Sequence, residues 1–261
     1  MSAKLAVKTA IALGWDATQR LRGEAPKLTI LYYHAVRADS AAAFDAQMAY
    51  LKRTTNLLRV DHTGPLSSDR PNVAVCFDDA FRSVLENALP ALVRHGVAAS
   101  IFVPTGNLGR KPGWQMETSG DQAEVVMTAE EIAGLPADLI DIGSHTVDHP
   151  HLTSLSEAEV ATQLSGSRAT LESLLGRTID TLAFPYGDHD VKVVEQARSA
   201  GYRFVYTVSP QAIAQGNTVI SRGRTSADPT DSPDLFALKV RGAFDWMPIA
   251  SGIKRRLRSR S

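Results

Sequence analysis

The chain has 261 residues, 18 Gly, 13 Pro and one Cys, and its 28 Lys and Arg balance 28 Asp and Glu for a formal net charge of zero. A hydrophobic content of 44% excludes disorder for the bulk of the chain, which needs low hydrophobicity and high net charge, and a single cysteine excludes an intramolecular disulfide scaffold. The zero balance argues against a global nucleic-acid binder, whose domain is strongly basic, and no apolar run approaches the roughly 18 residues of a spanning helix.

The first 15 residues place Lys4 and Lys8 before an apolar run from Thr9 to Trp15. That run is at the bottom of the range for an export signal, and Asp16 follows without a small-x-small cleavage site. The segment therefore reads as an amphipathic helix, a helical extension over residues 1–25. Leu28–Tyr33 reads as a strand, Ala43–Thr54 as a helix, Val73–Phe77 as a buried strand and Phe81–His95 as a helix ended by Gly96. Ala98–Val103 is a strand, and Gly106–Val126, rich in Gly, Lys and polar residues, is a functional loop. Thr128 with Glu131 forms a capping box at a short helix, and Leu139–Gly143 is a strand. Ser156 with Glu159 repeats the box and starts a helix running to about Leu175. Thr181–Phe184 is a short strand, Asp190–Ala200 a helix, Arg203–Val208 a strand and Thr218–Ser221 one more strand. The main region spans 26–235, and 236–261 is a C-terminal segment whose last eight residues hold Lys254, Arg255, Arg256, Arg258 and Arg260. That tail reads first as a solvated, frayed end and second as a weak attraction to anionic lipid.

Strands alternating with helices indicate βα units and a mainly parallel α/β sheet. The number of strands in this length suggests an incomplete barrel, with an open doubly wound sheet as the runner-up. No G-x-G-x-x-G follows an early strand and no P-loop occurs, so a nucleotide site has no support.

Four of these strands run into unusual polar groups: His34, then Asp78 and Asp79, then Ser144, His145 and His149, then Pro185, Tyr186 and Gly187. In parallel α/β folds the C-terminal strand ends share one face, and that face carries the site. The spacing of His145 and His149 places both rings on one side of a helical turn. Two imidazoles and a carboxylate make a metal site with a position left open, and Asp78 and Asp79 offer that carboxylate with one to spare. In extended backbone the two aspartates point in opposite directions, so one can bind metal while the other faces the substrate. The competing reading makes the histidines loop residues and the Asp pair a cap for the helix near Phe81.

Cys76-Phe77-Asp78-Asp79-Ala80-Phe81 resembles the Thr-Phe-Asp-Asp-Gly motif of the polysaccharide deacetylases, the NodB-homology carbohydrate esterases. Gly143-Ser144-His145-Thr146-Val147-Asp148-His149 resembles their His-Ser/Thr-x-x-His motif, and Ala183-Phe184-Pro185-Tyr186-Gly187 their Arg-x-Pro-Tyr motif with its trailing Gly. The resemblance runs from about Leu28 to Ser221 and implies a distorted, incomplete (β/α)7 barrel. It implies that Asp79, His145 and His149 bind a divalent metal, zinc first, with cobalt or manganese as alternatives. It implies that Asp78 is the general base toward the attacking water, that the Tyr186 N–H helps hold the oxyanion, and that Thr146 braces the metal-binding turn. Tyr186, Pro185 and Phe184 would line a sugar groove.

Two departures stand out. The Arg that orients the base in the family is Ala183 here, so Asp78 must find another partner or be less well held. The late His that protonates the leaving group in many members has no counterpart after His189. Leu31-Tyr32-Tyr33-His34 resembles the first strand end of the members that de-N-acetylate poly-N-acetylglucosamine and related exopolysaccharides, which makes His34 the candidate acid, with His189 behind it. His62, His95 and His151 read as structural or surface residues, and Cys76 as a buried thiol. The expected activity is removal of acetyl groups from N-acetylated hexosamine in a glycan, or in a lipid-linked or nucleotide-linked sugar precursor. An O-acetyl sugar esterase, or another C–N amide hydrolase on the same site, is the alternative, and a non-catalytic glycan-binding module stands behind both. The expected location is the cytoplasm, at the inner membrane face through the basic tail, with export as the alternative.

Overall fold

The computed structural model describes residues 3–23, 25–116, 119–217 and 220–250. Its strands are β1 (Lys27–Tyr33), β2 (Asn56–Leu57), β3 (Asn72–Phe77), β4 (Ala99–Val103), β5 (Ile140–Ser144), β6 (Thr181–Ala183), β7 (Phe204–Tyr206), β8 (Ile213–Ala214), β9 (Ser221–Arg222) and β10 (Thr225–Ser226). Its α-helices are α1 (Ala3–Arg22), α2 (Ala41–Thr54), α3 (Leu89–His95), α4 (Ser119–Gln122), α5 (Ala129–Ala133), α6 (Glu157–Leu175), α7 (Val191–Ser199) and α8 (Pro233–Val240).

The central strands are apolar on both faces, as expected of parallel strands covered on both sides. Alternation divides them. Leu31, Tyr33, Val75, Phe77, Ile101, Val103, Ile142, Leu182 and Val205 face outward into a core shared with α2, α3, α6, α7 and α8. Ile30, Tyr32, Ala74, Cys76, Phe102, Ala183, Phe204 and Tyr206 face inward and fill the barrel. The sheet runs β10-β1-β3-β4-β5-β6-β7-β9, with β2 beside β3 and β8 beside β1. The pairing along this path is parallel, and β8 is antiparallel to β1.

The two ends of that path are the two halves of one short segment. Ser221 and Arg222 pair with β7, and Thr225 and Ser226 pair with β1, so residues 221–226 touch both edges and nearly close the barrel. Gly223 sits at the kink between them. A Cβ there would run into Ser209 C=O and lie 2.6 Å from Gln211 C=O, so only glycine permits this approach.

The expected barrel is present, and both capping boxes close as read, with Thr128 accepting from Glu131 N–H and Ser156 from Glu159 N–H. Two readings change and three short strands are added. The expected helix over Phe81–His95 is split: Val84–Ala88 is π-helical and α3 starts after it. Pro90 lacks the N–H that a continuous α-helix would aim at Glu86 C=O, so the ladder shifts by one residue, with Leu89 N–H reaching Val84 C=O. The strand expected over Thr218–Ser221 lies at Ser221–Arg222, positions 218 and 219 falling outside the described residues. The small strands β2, β8 and β10 have no sequence signal, because at two residues each they show no period. The basic run at 254–260 lies outside the described residues.

Candidate active site

Strand alternation continues past the strand ends and aims the site. Asp78 N–H bonds to Tyr33 C=O at 2.9 Å, and His145 N–H to Val103 C=O at 2.9 Å. Asp78 therefore faces the same way as Cys76, two residues earlier, and His145 the same way as Gly143. Both point into the mouth of the barrel. There they line a cavity of about 180 Å³ with His34, Asp79, His149, Tyr186 and, from the segment between β4 and α5, Trp114 and Met116 of the loop and Asp121 of α4.

Beyond these residues the backbone turns sharply. Asp79, Ala80, Thr146, His149 and Tyr186 are the non-glycine residues with positive φ among those described, at +66°, +49°, +67°, +58° and +58°. Ala80 follows the site aspartates and the others belong to the site. Left-handed backbone costs of order 1–3 kcal/mol per such residue and persists only where surrounding contacts impose it. This corrects two expectations. The Asp78–Asp79 pair is not extended throughout; its divergence comes from the reversal at Asp79. The His145–His149 segment is not a helical turn; two left-handed residues fold it back so that both rings meet Asp79. Side chains hold that shape. Ser144 Oγ accepts from Thr146 N–H at 3.2 Å, and Thr146 Oγ1 from His149 N–H at 3.1 Å. Gln163 of α6 accepts from the N–H groups of Val147 and Asp148 at 3.0 and 2.9 Å.

Asp79, His145 and His149 offer one ligand atom each, all within 4.8 Å of one another. His145 Nε2 and His149 Nε2 lie 3.6 and 3.4 Å from Asp79 Oδ1. His145 Nδ1 is 2.8 Å from Ala183 C=O. A donor is needed there, which leaves the Nε2 lone pair facing Asp79. Asp79 Oδ1 is buried and has no hydrogen-bond donor among the described residues. Burial pushes His145 down to about 4 and, with His145 beside it, pushes His149 down to about 2. Burial and the neighbouring Asp78 hold the Asp79 carboxyl well above its usual range. Two neutral imidazoles and an unsatisfied carboxylate oxygen converging on one point fit a divalent cation, with its Asp-His-His donor set. His149 is further packed between Trp114, stacked at 4.3 Å, and the edge-on ring of Tyr186 at 4.6 Å.

Asp78 has a different partner. Arg224 Nη1 and Nη2 donate to its two carboxylate oxygens at 2.6 and 2.9 Å. The guanidinium is fully buried, donates from Nε to Thr207 C=O at 3.2 Å, and lies over the Tyr32 ring at 4.7 Å. Burial alone would raise the Asp78 carboxyl. The adjacent Arg224 charge outweighs it and holds the group down at about 2. Arg224 is thus the partner that Asp78 finds in the absence of an arginine at Ala183. No motif marks Arg224, and the strand expected over Thr218–Ser221 stops short of it. Had the alternation been carried on, Arg222 and Arg224 would both have fallen on the inward face.

His34 is half-buried at the cavity wall, edge-on to Tyr32 with ring centroids 5.7 Å apart. Tyr186 is 40% exposed at the mouth, with His151 stacked on it at 4.0 Å. Phe184 and Pro185 do not line the groove expected of them. Phe184 follows Leu182 on the outward face, is fully buried in the helix-facing core and stacks on His189 at 5.5 Å; Pro185 is buried at the start of the turn. His189 lies behind Phe184, outside the cavity lining. Cys76 is buried inside the barrel as expected, its thiol pushed up to about 12 by burial.

Comparison with known proteins places this arrangement. The chain is 23% identical over 237 residues to the putative polysaccharide deacetylase YxkH of Bacillus subtilis (strain 168), covering 86% of this chain and 80% of that protein. It is 23% identical over 150 residues to the poly-beta-1,6-N-acetyl-D-glucosamine N-deacetylase of Staphylococcus aureus (strain MRSA252), covering 54% of this chain and 49% of that protein. Among solved structures, the Streptococcus pyogenes deacetylase PplD in complex with acetate shares the fold with a TM-score of 0.69 at 20% identity, over 83% of this chain and 99% of that one. The family model for polysaccharide deacetylase matches residues 66–205, the stretch that contains both aspartates, both ligand histidines and the Pro-Tyr turn. With more than half its length matched and the motif residues gathered at one strand-end cavity, the chain belongs to the polysaccharide deacetylase family.

Proposed function

We propose that this protein is a metal-dependent deacetylase that removes acetyl groups from N-acetylated hexosamine in a glycan. The observation that carries the reading is the meeting of two differently tuned carboxyl groups in one open cavity: Asp79 among two neutral imidazoles, and Asp78 held ionised by Arg224. A divalent cation, zinc first, held by Asp79, His145 and His149 would supply Lewis-acid polarisation of the acetyl carbonyl and acidify the attacking water. Asp78 stays ionised at neutral pH and is aimed by the Arg224 fork, so its carboxylate can accept the proton as water attacks the acyl carbon. In the Pro185–Gly187 turn the hydrogen bonds are donated by Gly187 and Asp188, to Phe184 and Pro185 C=O at 2.8 and 2.9 Å. The Tyr186 N–H precedes them and stays available to a developing oxyanion. His34, on the same wall, would protonate the nitrogen as the C–N bond breaks, releasing acetate and a free amine. The Staphylococcus aureus relative is named for this reaction on an N-acetylglucosamine polymer, and PplD holds acetate, the acid product.

The test is acetate release from N-acetylglucosamine oligomers. Release is expected from zinc-loaded protein, lost on chelation and restored on adding zinc. A protein that holds one zinc and releases nothing from these oligomers would displace N-acetylhexosamine as the substrate and bring O-acetyl sugars forward. A second expectation concerns the acid. His34→Ala should keep the zinc stoichiometry and lose about 10²–10⁴-fold in turnover; turnover at the native rate would remove His34 from the reaction.

A further inference from the structure

Helix α1 carries apolar side chains on its outward side as well as on the side that packs against the protein. A surface helix normally turns its charged side chains to water and its apolar stripe to the core. Here Lys8 and Asp16 lie on the partly buried side, and Asp16 accepts from Arg241 at 3.0 Å. No residue exposed between positions 7 and 18 is charged. Val7, Ile11 and Leu13 are 61%, 44% and 56% exposed, and Leu21 follows at 89% between exposed Arg20 and Arg22. An apolar strip of this kind with charge at its flank marks an interaction site.

The distribution of charge indicates the partner. The first 22 residues hold four Lys or Arg and one Asp, and the last eight hold five Lys or Arg and no acid, so with zero net charge the rest of the chain is acidic. Leu5 and Ala12 of α1 pack with Leu235, Leu238, Phe244 and Met247; the basic run at 254–260 lies outside the described residues. Apolar residues along the outward face, with exposed Arg20 (paired to Asp16 at 3.2 Å) and Arg22 at its C-terminal end, are the pattern of a helix lying in a membrane interface.

We propose that the outward face of α1 docks on a lipid surface containing anionic headgroups. The helix would lie in the interface plane, since no helix among the described residues is long and apolar enough to cross a membrane. A second copy of the chain fits less well. A helix of 20 residues offers a strip about 30 Å long and on the order of 300 Å² in area, well below the roughly 800 Å² per partner of a stable interface. Self-pairing would also set two net-positive N-terminal regions against each other. No α1 residue lines the catalytic cavity, so docking leaves its mouth free for a glycan.

The test is co-sedimentation of the full chain with vesicles of phosphatidylcholine, alone or mixed with phosphatidylglycerol. Binding is expected to the mixed vesicles and not to phosphatidylcholine alone, and it should weaken as salt screens the basic flank. The variant Ile11→Glu/Leu13→Glu should bind at least about tenfold more weakly, with its thermal midpoint and its acetate release from soluble oligomers unchanged. Three results would overturn the proposal: native protein that stays in the supernatant, a variant that pellets as well as the native chain, or a concentration-dependent dimer that the variant abolishes. Vesicle binding is read without turnover, so it stands or falls separately from the deacetylase reading.

Discussion

Replacing Asp78 by Asn is expected to lower acetate release by about 10²–10⁴-fold while zinc still binds. Asn presents one oxygen where Asp presents two and cannot take a proton at neutral pH. The ligand set of Asp79, His145 and His149 is untouched by the change. The measurement is turnover and bound zinc on the same preparation. Zinc lost together with turnover would place Asp78 among the ligands, and native turnover would end its role as base. The variant carries a second effect, because Arg224 is fully buried and loses its charge partner. Turnover therefore has to be compared at a temperature where both proteins are folded.

Replacing Arg224 by Met is expected to destabilise the fold by about 3–5 kcal/mol at neutral pH, the cost of leaving one charge of a buried pair alone. Asp78 has its folded value near 2, below the carboxyl's unfolded value of about 3.9. Its contribution, about 2–3 kcal/mol, is therefore present above the unfolded value and lost as pH falls through the folded one. Without Arg224 the burial penalty on Asp78 is opposed only by the weaker influence of His145 and His34 and the carboxyl rises, so the sign reverses: the metal-free variant should lose stability as pH rises through the weakly acidic range. Urea unfolding of native and variant protein across that range reads both effects. Equal midpoints would show that the pair is not coupled. Arg224→Lys keeps a charge but loses the two-pronged donation, so it should recover more stability than turnover if Arg224 acts by aiming Asp78. Asp78→Asn/Arg224→Met removes both charges and should be more stable than either single variant, while turnover stays low.

Much of the site is legible along the chain because its parts are local. The Asp78–Asp79 pair, His145 and His149 follow strands whose apolar runs are plain. The capping boxes at Thr128 and Ser156 are set by residues three apart. The direction of each side chain is less legible. Phe184 looks like groove lining because it precedes Pro185 and Tyr186, yet the two-residue period that sets Leu182 outward also turns Phe184 outward. The Trp114 ring against His149 comes from a long loop with no period to read, and its placement depends on the loop crossing the barrel mouth.

The sequence by itself determined the α/β alternation, the strand ends that carry chemistry and the identities of the metal-ligand candidates. Hydrophobic period, end caps and motif spacing all act over a few residues, so they survive in one dimension. Only the tertiary structure decided what orients the base, since Arg224 and Asp78 are 146 residues apart and meet when the 221–226 segment closes the barrel. It also decided the left-handed turns that gather His145 and His149 on Asp79, and the outward apolar face of α1. Each of these is set by what packs against the residue from elsewhere in the chain, a quantity defined only once the sheet has curved shut and the helices have covered it.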